Sequence, residues 1–341
     1  MDVTLTLLRK IHVGQWLTWM LCALCAGTAV MAQPVDWPRY GPLGGGLVLN
    51  GHTNTVPDIV GPVDGSARLT IFTEGNHYPV FLPLALDGFP RWCADTGACD
   101  LSPADILVVT LPQVMIVHAL EGGRLRLGNA VIPLAPDTPV FPDLVVGGAG
   151  PLRRLAGQGL VAGKARIFAR HKGLGLLVRR DMARDDLGGF AAGVQRLAIA
   201  TPQEAGARRQ YEHTLQDLIG APEAVRLLRR DIGAFPGRLG IQHRDIPYAL
   251  LNGLADGGVI FGHLAAFYAL AYPDRLRAVT VPGAAPFGQT IAVAPAMRTV
   301  PSPVREVFLE YLLAVASSAY PKAGFHGPEA FAYGEALPLA E

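Results

Sequence analysis

Short apolar runs, each followed by a polar or glycine-bearing break and then by apolar positions at helical spacing, recur along most of this chain. Residues 69–73 (LTIFT) predict a buried strand, Glu74, Gly75 and Asn76 a break, and residues 77–86 a helix. Residues 105–110 (DILVVT) predict a second strand. Residues 112–120 then predict a short helix with Pro112 in its first turn, where the missing N–H has no partner to lose. An apolar stretch over 165–178 predicts a long or broken strand that leaves the first unit. Further strands are predicted at 196–200, 257–261, 278–281 and 289–293. Helices are predicted at 206–219, ending near 249–254, and at 304–316. This alternation predicts mainly parallel α/β sheets.

The two ends of the pattern differ from its middle. Arg9, Lys10 and His12 precede an uncharged stretch over 16–30, which ends at Val30, Met31 and Ala32. A basic head, an apolar middle and small residues at the end predict a secretory signal over 1–32, cut after Ala32, and hence export to the periplasm. An uncleaved anchor is the alternative, but a spanning helix needs about 20 apolar residues. Residues 33–66 are rich in Gly, Pro and Asn, a loop composition with one short strand at 47–49. They read as a linker or as a belt packed on the first lobe.

Half of the residues are hydrophobic and 17% are charged, so the chain is globular. A formal charge of +1, with 29 basic and 28 acidic residues, does not suggest a nucleic-acid surface or a long acidic tail. Beyond the signal, the cysteines are Cys93 and Cys99, close in sequence. In an oxidising compartment they read as one disulfide; a metal or redox pair is the alternative, although this spacing is not usual for zinc.

Candidate chemistry sits at three strand-to-helix junctions: residues 73–78, 200–211 and 257–263. In open α/β sheets ligands bind beyond the carboxyl ends of strands, and free N–H groups at helix starts suit an anion. Gly75 and Gly206 would let backbone approach a ligand closely. His77, His243 and His263 all fall near the expected cleft, where histidine can bind an anion when charged or a metal when neutral. Arg208 and Arg244 are candidates for holding an oxyanion, with surface ion pairing as the alternative. No G-x-S-x-G elbow, H-E-x-x-H helix or strand-borne G-x-G-x-x-G is present, so enzyme readings find no support in motifs.

The order of segments over about residues 67–320 resembles the type II periplasmic solute-binding proteins, and within them the molybdate-binding group. Residues 69–78 resemble that family's first strand and ligand-binding helix start. Residues 104–108 (ADILV) resemble its second strand. Residues 200–211 resemble its lobe-two helix start, and LNGLADGGVIF at 251–261 a further segment. The resemblance implies an α/β fold of two lobes joined by crossing strands, with a central ligand cleft. It implies lobe 1 over 67–177 plus 284–341 and lobe 2 over 178–283. It implies ligand contacts from Gly75, Asn76, His77, Tyr78 and Thr110 in lobe 1. From lobe 2 it implies Ala205, Gly206, Arg208, His243, Phe261 and His263.

The function so implied is capture of a small anion, an oxyanion such as molybdate, tungstate or sulfate, for an ABC transporter permease. The protein would be a monomer without cofactor. The chain departs from the family at the site itself. Asn76 and His77 stand where serine is used, Phe261 replaces a tyrosine, and beyond the signal the serines are Ser66, Ser102, Ser302, Ser317 and Ser318. The first alternative is a transition metal or its chelate held by His77, His243 and His263. The second is an exported enzyme or a sensor partner on the same fold.

Overall fold

A computed structural model describes residues 48–49, 52–53, 58–127, 130–182, 185–283 and 289–339. The expected signal over 1–32, with its cut after Ala32, lies outside the described residues.

Two open sheets organise the chain. The strands of the first are β1 (Ile59–Val60), β2 (Leu69–Glu74), β3 (Ile106–Leu111) and β4 (Leu144–Gly147), then β5 (Lys164–Arg170). The second sheet takes β6 (Leu174–Arg179), β7 (Leu197–Ala198), β8 (Gly257–Phe261) and β9 (Leu276–Val279). The chain then returns to the first sheet with β10 (Thr290–Pro295) and β11 (Ala336–Pro338). The seven-stranded first sheet has the order β11-β5-β10-β4-β2-β3-β1, and the four-stranded second sheet the order β7-β8-β6-β9.

The stretch predicted as one long or broken strand over 165–178 is two strands in two sheets. His171, Lys172 and Gly173 carry the chain across, short of the boundary expected at 177. The sheets are mixed rather than mainly parallel. β2 runs parallel to β3 and β4, and β7 parallel to β8, while β5, β6, β9 and β10 pair antiparallel with their neighbours. The physical reason is the crossing itself. Parallel pairing needs a crossover that brings the chain back to the same end of the sheet, and a strand leading straight into another sheet has none.

The segment before Ser66 is partly accounted for. Val48–Leu49 pairs with His52–Thr53, and β1 adds an antiparallel edge to β3. The helix predicted over 77–86 runs further, through Tyr78–Pro83, a wider turn Leu84–Gly88 and Phe89–Thr96. It ends at Gly97, whose φ of 68° is the left-handed value that favours glycine. Cys93 and Cys99 are bonded across this end.

The central strands are buried on both faces, which explains their continuous apolar runs. Ile71, Ile106 and Val108 pack on one side with Phe81, Phe89 and Phe308. Phe72, Leu107 and Val109 pack on the other with Ile116, Leu152 and Leu155. Helix Arg305–Lys322 covers the first of these faces, and its Phe308 meets Phe89 edge-on at 5.0 Å. No helix among the described residues is long and apolar enough to cross a membrane.

Phe89 is fully buried, so Phe89→Ala removes apolar contact and leaves a cavity. A loss of about 3–5 kcal/mol is expected in urea unfolding. A loss under about 1 kcal/mol would mean that the helix-to-sheet packing of the first lobe is not as described.

Candidate functional site

Strand-to-helix turns from both sheets open on one cavity of 380 Å³. The turn after β2 contributes Asn76, and the turn after β3 contributes Pro112, Gln113, Val114 and Val117. The turn after β4 contributes Gly150, Pro151 and Arg154. From the second sheet come Gln203, Glu204, Ala205, Gly206, Ala207 and Arg209 after β7, with Gln242 and Phe261. Gln289, ahead of β10, completes the wall. The cavity therefore lies beyond the carboxyl ends of β2, β3, β4, β7 and β8, where open α/β sheets place ligands. Helices Gln113–Glu121, Ala149–Gly157, Ala205–Ile219 and Gln242–Leu251 all begin there, turning the positive ends of their dipoles toward it.

Two amides on opposite walls are held in one orientation. The Gln113 Oε1 accepts from the Gly148 main-chain N–H at 3.0 Å, and the Gln242 Oε1 accepts from the Tyr211 hydroxyl at 2.8 Å. With each oxygen engaged by the protein, the amide N–H groups are left for the cavity; no acceptor among the described residues takes them. Of the two arginines, Arg154 forms a double hydrogen bond to Glu121. Arg209 donates from Nε to the Ala205 carbonyl and meets no acid among the described residues. Burial holds the Glu204 carboxyl well above the ordinary range, although both its oxygens receive the Gln242 main-chain N–H. That acid resists the negative charge that would repel an anion.

A buried polar network lies behind the wall. Glu74, at the end of β2, accepts from His171 at 3.1 Å and from the Asn76 side chain at 2.7 Å. The Asn76 main-chain oxygen accepts from His263 Nε2 at 2.6 Å. His171 stacks on Phe261 at 4.3 Å and on His263 at 5.2 Å. Burial pushes the Glu74 carboxyl up, but His171, by charge and by hydrogen bond, brings it down to about 2. Burial pulls His77 down to about 4 and His263 to about 3. His77 hydrogen-bonds Thr73 at 2.6 Å and Tyr320 at 2.5 Å.

Beside the cavity runs the seam between the lobes. Tyr78 donates to the Tyr268 hydroxyl at 2.8 Å, and Tyr268 donates to the His243 carbonyl. His243 and Arg244 approach the buried Asp58 at 3.4 and 3.5 Å. The His243 ring lies on Gly75 so closely that a methyl group there would overlap it. Gly75 thus lets a second lobe approach, rather than a ligand.

Of the residues expected to touch ligand, Asn76, Ala205, Gly206 and Phe261 line the cavity. Gly75, Tyr78, His243 and His263 lie along the seam instead. His77 and Thr110 are buried behind the wall, with Thr110 donating its main-chain N–H to Asp58. Arg208 is taken by Glu212 at 2.5 Å and Asp231 at 2.6 Å. His77, His243 and His263 do not converge. Among the described residues no group of three His, Cys, Asp or Glu side chains is placed to hold a metal ion. Gln113, Gln242, Gln289 and the turn at Gly150 went unpredicted, while Gln203 falls within the junction 200–211 without having been singled out as a contact. Their one sequence signal is position: Gln113 directly follows a strand and a proline.

No family model and no curated protein matches the chain. Solved structures do. The periplasmic molybdate-binding protein of Azotobacter vinelandii is similar with a TM-score of 0.53 and 16% identity, over 76% of this chain and 99% of that one. The sulfate-binding protein SubI from Mycobacterium tuberculosis is similar with a TM-score of 0.53 and 13% identity, over 76% of this chain and 86% of that one. At such identities the likeness is one of fold. The chain has the two-lobed type II periplasmic-binding-protein fold, its lobes joined by crossing strands around a central cleft.

The buried histidines make stability depend on pH with a definite sign. His77 titrates near 4 when folded and near its ordinary 6.5 when unfolded. Below 6.5 the unfolded chain therefore binds more protons, and stability falls as pH drops toward 4. Replacing His77 by Gln removes this dependence. Between pH 6.5 and 4 the wild type should lose up to about 1.4 kcal/mol per pH unit more than His77→Gln in chemical unfolding. Parallel profiles would show that His77 titrates normally in the folded protein.

Proposed function

We propose that this chain is an extracytoplasmic solute-binding protein that captures a small anion between its lobes for an ABC-type permease. The observation that carries the reading is the pair Gln113 and Gln242. They come from opposite lobes, have their oxygens engaged by the protein, and turn only donors to the cavity. A cavity that offers donors suits a ligand rich in acceptors. The helix starts around it and the Arg209 guanidinium add positive potential. The fold supports a hinged mode of action, in which ligand shifts the lobes toward a closed state.

Size refines the ligand class. Sites for small organic molecules run to about 300–1,000 Å³, and this cavity, at 380 Å³, falls among them. Val114, Val117, Pro112, Pro151 and Phe261 give it an apolar side. A bare tetrahedral oxyanion would leave much of that space to water, whereas a small organic anion would fill it. Among the described residues no three His, Cys, Asp or Glu side chains are placed to hold a metal ion, which disfavours the metal reading. Export by the leader over 1–32, action in the periplasm, a monomeric state and the absence of catalysis belong to the same proposal. An exported enzyme on this fold would consume its ligand, and a binding protein would not.

Calorimetric titration of the mature chain with molybdate, sulfate, phosphate and small carboxylates tests the reading. At least one anion should bind with no turnover. Gln113→Ala and Gln242→Ala should each weaken it by roughly 10- to 100-fold, the range for a lost hydrogen bond to a charged group. The fold should be unchanged by circular dichroism. Undiminished binding by both variants would refute the assignment of the site.

A further inference from the structure

Just ahead of β1 stands an acid whose charged partners both come from the second lobe. Asp58 is fully buried at the edge of the first sheet, where its main-chain oxygen accepts from the Thr110 N–H at 2.8 Å. Its carboxylate oxygens lie 3.4 Å from His243 Nε2 and 3.5 Å from Arg244 Nε. His243 and Arg244 are the second and third residues of helix Gln242–Leu251, whose first residue, Gln242, stands in the cavity wall. The first lobe also encloses the His243 ring, with Gly75 against it and Tyr78 packed on it at 5.5 Å. Arg244 meets a second acid at 3.8 Å, Asp245 of its own helix. That carboxylate already accepts the main-chain N–H groups of Leu239, Gly240 and Ile241.

Two features make the contact at Asp58 a reversible one. Its distances are those of ion pairs rather than hydrogen bonds. Neither Asp58 carboxylate oxygen, nor Nε or Nη1 of Arg244, has a hydrogen-bond partner among the described residues. These atoms are also out of water. Desolvation therefore offsets much of the attraction, and the charges regain hydration when the lobes part. A contact so balanced can be made and broken, whereas a fully hydrogen-bonded one would fasten the lobes together. Removing one charge tips the balance toward opening, because a closed seam would then bury the other charge uncompensated.

We propose that Asp58 is an interlobe latch: carried by the segment ahead of the first lobe's central strands, it grips the start of the helix that bears Gln242 and so ties closure of the lobes to a residue of the ligand wall. Asp58 is not itself part of that wall; it acts through His243 and Arg244 as a positioning residue. The proposal rests on the hinged mode of action given above, and the identity of the ligand does not enter it.

Small-angle X-ray scattering of the mature, ligand-free chain tests the latch. Asp58→Asn and Arg244→Gln should each shift the protein to an open form with a larger radius of gyration than the wild type. The double variant should open no further than either single one, because both changes remove the same contact. A purely structural role would lower the urea midpoint and leave the radius unchanged, and that result would overturn the proposal. Opening by Asp58→Asn that Arg244→Gln does not reproduce would overturn it too, since the ion pair would then not be its cause. Should Asp58→Asn fail to fold, Arg244→Gln alone decides: a larger radius supports the latch and an unchanged one overturns it. Calorimetric titration of the same proteins with molybdate, sulfate, phosphate and small carboxylates tests the anion reading separately. Unchanged radii with anion binding intact would overturn the latch alone. Opened variants of a protein that binds none of these anions would uphold the latch and count against the anion reading alone.

Discussion

A carboxylate buried at the carboxyl end of a central strand must have its water replaced by side chains, and the architecture around the cleft follows from how this is done for Glu74. His171 supplies one partner from the point where the chain passes from the first sheet to the second. Asn76 supplies the other and stands in the cavity wall. His263, from the second lobe, holds the Asn76 main chain. A single buried charge therefore joins the crossing between the sheets, the cavity wall and the opposite lobe. Removing a partner of such a buried carboxylate is strongly destabilising, because its charge is left uncompensated.

The same economy of contact shapes the seam. Gly75 lacks the side chain that would keep His243 away, and Tyr78, Tyr268 and the His243 carbonyl form a chain of hydrogen bonds across it. Asp58 draws His243 and Arg244 toward the first sheet. The Gly- and Pro-rich segment before Ser66 thus has a structural part, since it brings both the edge strand β1 and this acid.

Much of the fold was legible because its strands are apolar runs long enough to stand out, as in LTIFTE, ILVVTL and GGVIF. β4 was not. Its apolar run is only Leu144, Val145 and Val146, closed in by Pro142 and Asp143 before it and by Gly147 and Gly148 after it, yet the strand forms the middle of the first sheet. Missing β4 also hid helix Ala149–Gly157 and its share of the cavity wall. The site was legible as a set of junctions but not as a set of side chains. Spacing placed His77, His243 and His263 near the cleft, but burial, hydrogen bonding and ring packing, which spacing does not encode, turned them away from its wall. The glutamines drew no notice because an amide becomes a directed donor only when a neighbour occupies its oxygen.

The central claim is that the cavity between the lobes holds a small anion. Native mass spectrometry of the protein purified from an expressing bacterium, followed by release and identification of the retained molecule, tests it most directly. One small anion per chain is the result this account predicts. A retained metal ion or an organic cation in its place would contradict it.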